Sequence, residues 1–207
     1  MKYYQEITII SQPDTNDHHI LSVLYNKLHG NVFGASKSPR NIGVSFPEYV
    51  RAANTKNCKM GGMVRLFAET KAQLDTLNLA DMLSDIEDYV QVESIDEVGA
   101  KATHYEVYTR YKHKSLQRKT KSFIKLTNAK RDESDKITEA EALKHCIKYK
   151  SPSLFYPFIH LTSTSNGKPY CLNIKREVVD SPTEANNFDS FGLSSKSPNC
   201  TSAVPAW

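Results

Sequence analysis

The chain has 207 residues, 39% of them hydrophobic and 24% charged, with a mean hydropathy of −0.52, which excludes a polytopic membrane protein, a collagen-like fibre and a wholly disordered tail. Its length suits one large domain or two small ones, each able to bury a core. The formal net charge of +4 conceals an asymmetry, because residues 1–100 carry −4, residues 101–176 carry +11 and residues 177–207 carry −3; a cationic segment between two acidic ones points to a polyanionic partner.

In chain order, YYQEITII at 3–10 reads as a strand rich in aromatic and β-branched residues. Over residues 17–29 the apolar positions Ile20, Val23, Leu24, Tyr25 and Leu28 recur at spacings of three and four, which predicts an amphipathic helix ended by Gly30 as a C′ residue. NIGVSFPEY at 41–49 is a second strand, stopped by Pro47, and MVRLFAE at 63–69 a third. Residues 74–89 read as a helix broken near Asn78, and VQVESI at 90–95 as a fourth strand. The order βαββαβ is that of a ferredoxin-like domain, expected over residues 1–98. Residues 99–207 are expected to form a more irregular α+β domain, so the fold class is α+β.

In this second part a strand is expected near 105–111, followed by a basic stretch. Leu116, Phe123 and Ile124 form an apolar seam there, while Lys114, Arg118, Lys121 and Lys125 fall on another face at spacings of four, three and four, as in a helix with a cationic stripe. Residues 128–135 form a polar loop. Thr138 and Glu141 match a capping box that opens a helix through Leu143 and Ile147. Residues 155–164 and 170–176, joined by Ser165-Asn166-Gly167-Lys168, read as a hairpin. The tail from Ser181 is Ser-, Asn- and Pro-rich apart from residues 188–193, and is expected to be partly irregular.

The four cysteines, Cys58, Cys146, Cys171 and Cys200, form no CxxC pair and have no histidine at finger spacing, so no metal site is expected. The first ten residues lack an apolar run fit for a signal peptide or a membrane span, and a cytoplasmic protein with reduced thiols is expected.

Three features could carry chemistry. The stretch at 108–125 holds Arg110, Lys112, Lys114, Arg118, Lys119, Lys121 and Lys125 with no acid among them. Solvated helix faces usually mix both signs, so this one favours phosphate binding over a bland surface, and its seam lacks the Trp and Leu that a membrane interface would bury. His29, at a helix end, could transfer a proton near neutral pH; a helix-terminal His by itself is more often a dipole-compensating or packing residue. Ser163, Thr164 and Ser165 cluster hydroxyls at the hairpin turn, where they are either turn formers or ligands of a phosphate or a ribose 2′-OH.

These segments together resemble the CRISPR-associated endoribonuclease that cuts precursor CRISPR RNA in type I-F systems. The ordered blocks are LSVLYNKLH at 21–29, NIGVSFP at 41–47, TRYKHKS at 109–115, PFIHLTSTSNG at 157–167 and FDSFGLS at 188–194. The resemblance implies that His29 is the proton-transfer group and that Ser163 orients the ribose before the cut, with Ser165 and Phe191 in support. It also implies that Tyr170 stacks beneath the closing base pair of the repeat hairpin, that Arg110 and Lys112 read bases at the foot of the stem, and that the basic helix lies along the stem. The implied reaction uses no metal or other cofactor: the 2′-OH attacks the adjacent phosphorus and the 5′-oxygen leaves. The partners implied are the CRISPR repeat hairpin RNA and the other subunits of the type I-F surveillance complex, with no membrane; the alternative is a non-catalytic RNA-binding subunit of a ribonucleoprotein. Two departures stand out. Phe191 occupies a position where the best-known members have Tyr, and the basic helix carries Lys and Ser where the family is Arg-rich, which trades bidentate forks for point charges.

Overall fold

The computed structural model of the chain describes residues 1–33, 41–52, 58–112, 115–148, 155–163, 165–183, 187–195 and 201–207. Lys114, Thr164 and Cys200 lie outside the described residues. Two compact units are found, one of Met1–Tyr111 with Phe155–Trp207 and one of Lys112–Leu154. Tyr108, Ile159, Leu161, Leu172 and Ile174 share one buried cluster with Ile7, Leu24 and Leu66.

The larger unit is mixed α+β with two antiparallel sheets. Its first sheet has the order β2-β3-β1-β4, formed by β1 (Tyr3–Ile9), β2 (Gly43–Ser45), β3 (Met63–Ala68) and β4 (Val90–Val92), with the short β5 (Asp96–Glu97) also pairing β1. Helix α1 (Asp17–Leu28) packs into the core through Ile20, Leu21, Leu24, Tyr25 and Leu28, all nearly fully buried. Each such side chain contributes about 1.5–3 kcal/mol by leaving water. The Asn16 side chain caps α1 by accepting the His18 N–H at 2.8 Å. Between β3 and β4 the helical segment is interrupted as expected: α2 (Lys71–Asp75) ends before Asn78, which has φ +44°, and α3 (Leu79–Met82) and a 3-10 turn (Ser84–Tyr89) follow. Buried Arg65 pairs with Glu6 at 2.6 Å on the adjoining strand, and its guanidinium lies 3.6 Å from the Trp207 ring.

The second sheet has the order β7-β8-β6-β9, from β6 (His104–Tyr111), β7 (Phe158–Thr162), β8 (Pro169–Val179) and β9 (Val204–Ala206). β7 and β8 are the expected hairpin, in register from Phe158↔Asn173 to Thr162↔Pro169. Gly167, at φ +66°, turns the chain so that its N–H reaches the Ser163 carbonyl at 2.8 Å and the Ser163 N–H reaches the Lys168 carbonyl at 3.0 Å.

Two expectations are corrected. Gly30 does not terminate the first helix in a left-handed conformation; His29 stays right-handed and the chain continues into a π-helical turn (His29–Phe33), because buried Val32 and Phe33 draw it onward into the core. The tail is partly irregular as expected, and its strand among the described residues is β9, which pairs with β6 over His104↔Ala206 to Glu106↔Val204. In the smaller unit the expected seam fails at Leu116, which is 43% exposed; Thr120 is buried instead, and Phe123 stacks on His145 at 4.3 Å.

That smaller unit holds α4 (Leu116–Asn128) and α5 (Glu139–Lys148), packed on one another. Ser115 caps α4 by accepting from Arg118 N–H at 3.3 Å, and Thr138 and Glu141 form the expected capping box. Among the described residues no helix is long and apolar enough to cross a membrane.

Candidate active site

The last turn of α1 places His29, half-buried, at the rim of the larger unit. Its Nδ1 lies 2.6 Å from the carbonyl oxygen of Ser190. A carbonyl can only accept, so Nδ1 carries the proton and Nε2 is the nitrogen left to exchange one with a reactant. The imidazole stacks on Phe191, with centroids 4.4 Å apart and planes 8° from parallel. Arg110, from the end of β6, lies 5.1 Å from the Phe191 ring and 5.6 Å from that of Tyr170 on β8.

The turn at 189–193 holds these groups. Asp189 accepts through Oδ1 from the N–H groups of Phe191 at 2.8 Å and Leu193 at 3.1 Å, and its carbonyl accepts from Gly192 at 3.0 Å. Gly192 is required here: it has φ +67°, and a Cβ would stand 2.6 Å from the Phe33 ring in the π turn. Buried Tyr25 donates its hydroxyl to the Phe191 carbonyl at 2.6 Å. Two backbone bonds tie the turn to the sheets, Val44 N–H to the Gly192 carbonyl at 3.0 Å and Ser194 N–H to the Tyr108 carbonyl at 2.8 Å.

Burial sets the electrostatics. Desolvation pushes the Asp189 carboxyl above its usual range, against the two backbone donors and the charges of Arg110 and His29. Burial, then the charge of Asp189, raises the Tyr25 hydroxyl well above its ordinary value. Burial also raises Tyr170, opposed by Arg110.

Among the residues singled out in the sequence, His29, Phe191, Arg110 and Tyr170 thus form one connected group. Ser163 and Ser165, at the tip of the β7–β8 hairpin, have their hydroxyl oxygens 3.0 Å apart. Asn26, one turn before His29, accepts from Thr162 N–H at 3.0 Å, so α1 is fastened to the strand residue just before Ser163. In the smaller unit Lys112, Arg118, Lys119, Lys121 and Lys125 are exposed. Sequence reasoning missed Asp189, Tyr25, Asn26 and the Ser190 carbonyl. A carbonyl leaves no residue-type signal, and the bond to His29 spans 161 positions. Among the described residues no three His, Cys, Asp or Glu side chains group to hold a metal ion.

Residues 4–207 match the family model described as CRISPR-associated protein (Cas_Csy4). The chain is similar to the CRISPR-associated endonuclease Cas6/Csy4 of Escherichia coli (strain UTI89 / UPEC), 26% identical over 196 residues that cover 94% of this chain and 96% of that one. It is also similar to the protein of the same description from Pseudomonas aeruginosa (strain UCBPP-PA14), 25% identical over 194 residues, with 94% and 96% covered. A solved structure described as CRISPR associated protein Cas6 aligns with a TM-score of 0.31 at 11% identity, over 100% of this chain and 99% of that one.

Proposed function

This chain belongs to the Cas_Csy4 family of CRISPR-associated proteins, and from that premise we propose that it is an endoribonuclease that binds the CRISPR repeat hairpin and cuts precursor CRISPR RNA at the hairpin's 3′ base. The observation that carries the reading is His29, whose Nδ1 is fixed on the Ser190 carbonyl and whose ring is held flat on Phe191. An imidazole with one nitrogen anchored and the other left to react is the arrangement general acid–base catalysis needs.

The reaction is an internal transesterification that draws on no metal. The ribose 2′-OH upstream of the cut loses its proton as its oxygen bonds to phosphorus; the bond from phosphorus to the 5′-oxygen breaks, and that oxygen takes up a proton. The products are a 2′,3′-cyclic phosphate and a 5′-hydroxyl. His29 serves one of the two proton transfers, and Ser163, with Ser165 beside it, aligns the 2′-OH. Arg110 and Tyr170 form a cationic and aromatic surface for the bases at the foot of the stem, and the exposed cations of α4 take phosphates along it. The protein then stays on its product as a subunit of the type I-F surveillance complex in the cytoplasm. Residues 1–98 are read as a ferredoxin-like domain, supported by the antiparallel strand order β2-β3-β1-β4 with helices after β1 and β3.

The test is cleavage of the neighbouring genomic repeat RNA in EDTA with protein in excess. The parent protein is expected to cut once. His29→Ala should slow the cut by about 10²–10⁴-fold while still shifting the RNA on a gel. A variant that cuts as fast as the parent would overturn the assignment of His29, and a parent that shifts the RNA uncut would identify a binding subunit instead.

A further inference from the structure

Helix α1 meets the outer edge of β7 through a row of polar side chains spaced four residues apart. His18 donates Nε2–H to the Phe158 carbonyl at 2.9 Å; Ser22 Oγ accepts from His160 N–H at 3.3 Å; Asn26 donates Nδ2–H to the His160 carbonyl at 3.3 Å and accepts at Oδ1 from Thr162 N–H at 3.0 Å. Four residues of helix rise about 6.0 Å and two residues of strand about 6.8 Å. The helix therefore keeps step with alternate strand residues 158, 160 and 162, and three of its side chains take the place of a neighbouring strand. Two of the three rungs are also pinned to the helix itself: Ser22 Oγ–H donates to the His18 carbonyl at 2.8 Å, and Asn26 Nδ2–H to the Ser22 carbonyl at 2.7 Å.

The row ends where the site begins. One residue past Thr162 on the strand is Ser163, and three residues past Asn26 on the helix is His29. We propose that Asn26 is a positioning residue of this site: by holding Thr162 N–H and the His160 carbonyl together, it sets the axial register of the last turn of α1, and with it His29, against the end of β7 from which Ser163 projects. This rests on the reading that His29 and Ser163 act together in RNA cleavage. Asn26 touches no reacting atom. It acts only through the register of two elements, so its loss should be felt in the chemical step and not in RNA affinity.

The test measures single-turnover cleavage of repeat RNA at saturating protein, with affinity read separately on RNA carrying a 2′-deoxy nucleotide at the cut. Asn26→Ala should lower the maximal rate by about 10- to 100-fold, the scale of a misplacement near 1 Å, and leave affinity within about twofold of the parent. In a Ser163→Ala background the same change should cost less than about threefold, because the aligned group is already gone. If Asn26→Ala does not melt cooperatively, Asn26→Asp replaces it: the shape and the acceptor for Thr162 N–H are kept, the donor to the His160 carbonyl is lost, and the same non-additivity with Ser163→Ala is expected. A single variant that cuts at the parental rate, or losses that multiply fully in the double variant, would overturn the role of Asn26 alone. A parent that leaves the RNA uncut would overturn the proposed function and this inference with it.

Discussion

The His29 imidazole lies parallel to the Phe191 ring, and Arg110 covers the same ring at 5.1 Å. Phe191 thus acts as a flat support for His29 and has no hydroxyl with which to bond it. The role of Phe191 is planar packing, so Phe191→Leu, which keeps an apolar side chain but loses the plane, should cut about tenfold more slowly with unchanged RNA affinity. Phe191→Tyr keeps the plane and should cut within about threefold of the parent. Single-turnover rates in parallel with gel-shift titrations decide the matter. A leucine variant with the parental rate would show that the ring is mere filler, and a tyrosine variant accelerated by about 100-fold would show that the missing hydroxyl matters.

Much of the fold was legible from spacing. The buried face of α1, the break at Asn78, the capping box of α5 and the β7–β8 hairpin all follow from local rules, because each is decided by residues within a few positions of one another. The support of His29 was not legible, because its partners come from the turn at 189–193 and a backbone carbonyl has no residue signature. The π turn after His29 was hidden for the same reason: Gly30 looks like a stop, and only the tertiary pull on Val32 and Phe33 carries the chain past it. Asn26, Ser22 and His18 lie on a four-residue repeat, yet a polar repeat on an amphipathic helix reads as a solvent face until the strand edge beside it is known.

Asp189 gives the site a pH signature. Burial raises its carboxyl pKa in the folded chain, so folding favours the protonated form. Its stabilising contribution is complete below the unfolded value, near pH 4 for an ordinary Asp, and is lost as pH rises through the raised folded value. Asp189→Asn keeps an Oδ1 acceptor for the Phe191 and Leu193 N–H groups and removes the titration. Urea midpoints of parent and variant, compared from about pH 4 to about pH 7, should therefore shift in favour of the variant as pH rises. Parallel pH profiles, or a shift the other way, would contradict the burial argument.

The proposed function puts Ser163 and the 2′-OH in the same step, which makes their removals comparable. RNA with a single 2′-deoxy nucleotide at the cut should bind like the parent substrate and not be cut at all, since its nucleophile is missing. Ser163→Ala leaves the nucleophile in place but unaligned, so slow residual cutting of the all-ribose RNA is expected at about 1–10% of the parental rate. Product analysis should find a 2′,3′-cyclic phosphate in every reaction that proceeds. Cutting of the deoxy substrate would rule out internal attack.

The cations of α4 predict a different response, one in affinity and salt dependence instead of rate. Arg118, Lys119, Lys121 and Lys125 are exposed, so replacing one should alter stability by no more than about 0.5 kcal/mol. A Lys that neutralises a phosphate releases counterions on binding, and its removal should flatten the plot of log affinity against log salt by about one unit. Lys121→Ala and Lys125→Ala should each weaken binding to the repeat hairpin at low salt and converge on the parent as salt rises, with the rate of the bound complex unchanged. Titrations at several salt concentrations on catalytically silent 2′-deoxy RNA measure this directly. Equal slopes for parent and variants would remove those lysines from the phosphate contacts and leave the +11 segment acting through its other cations.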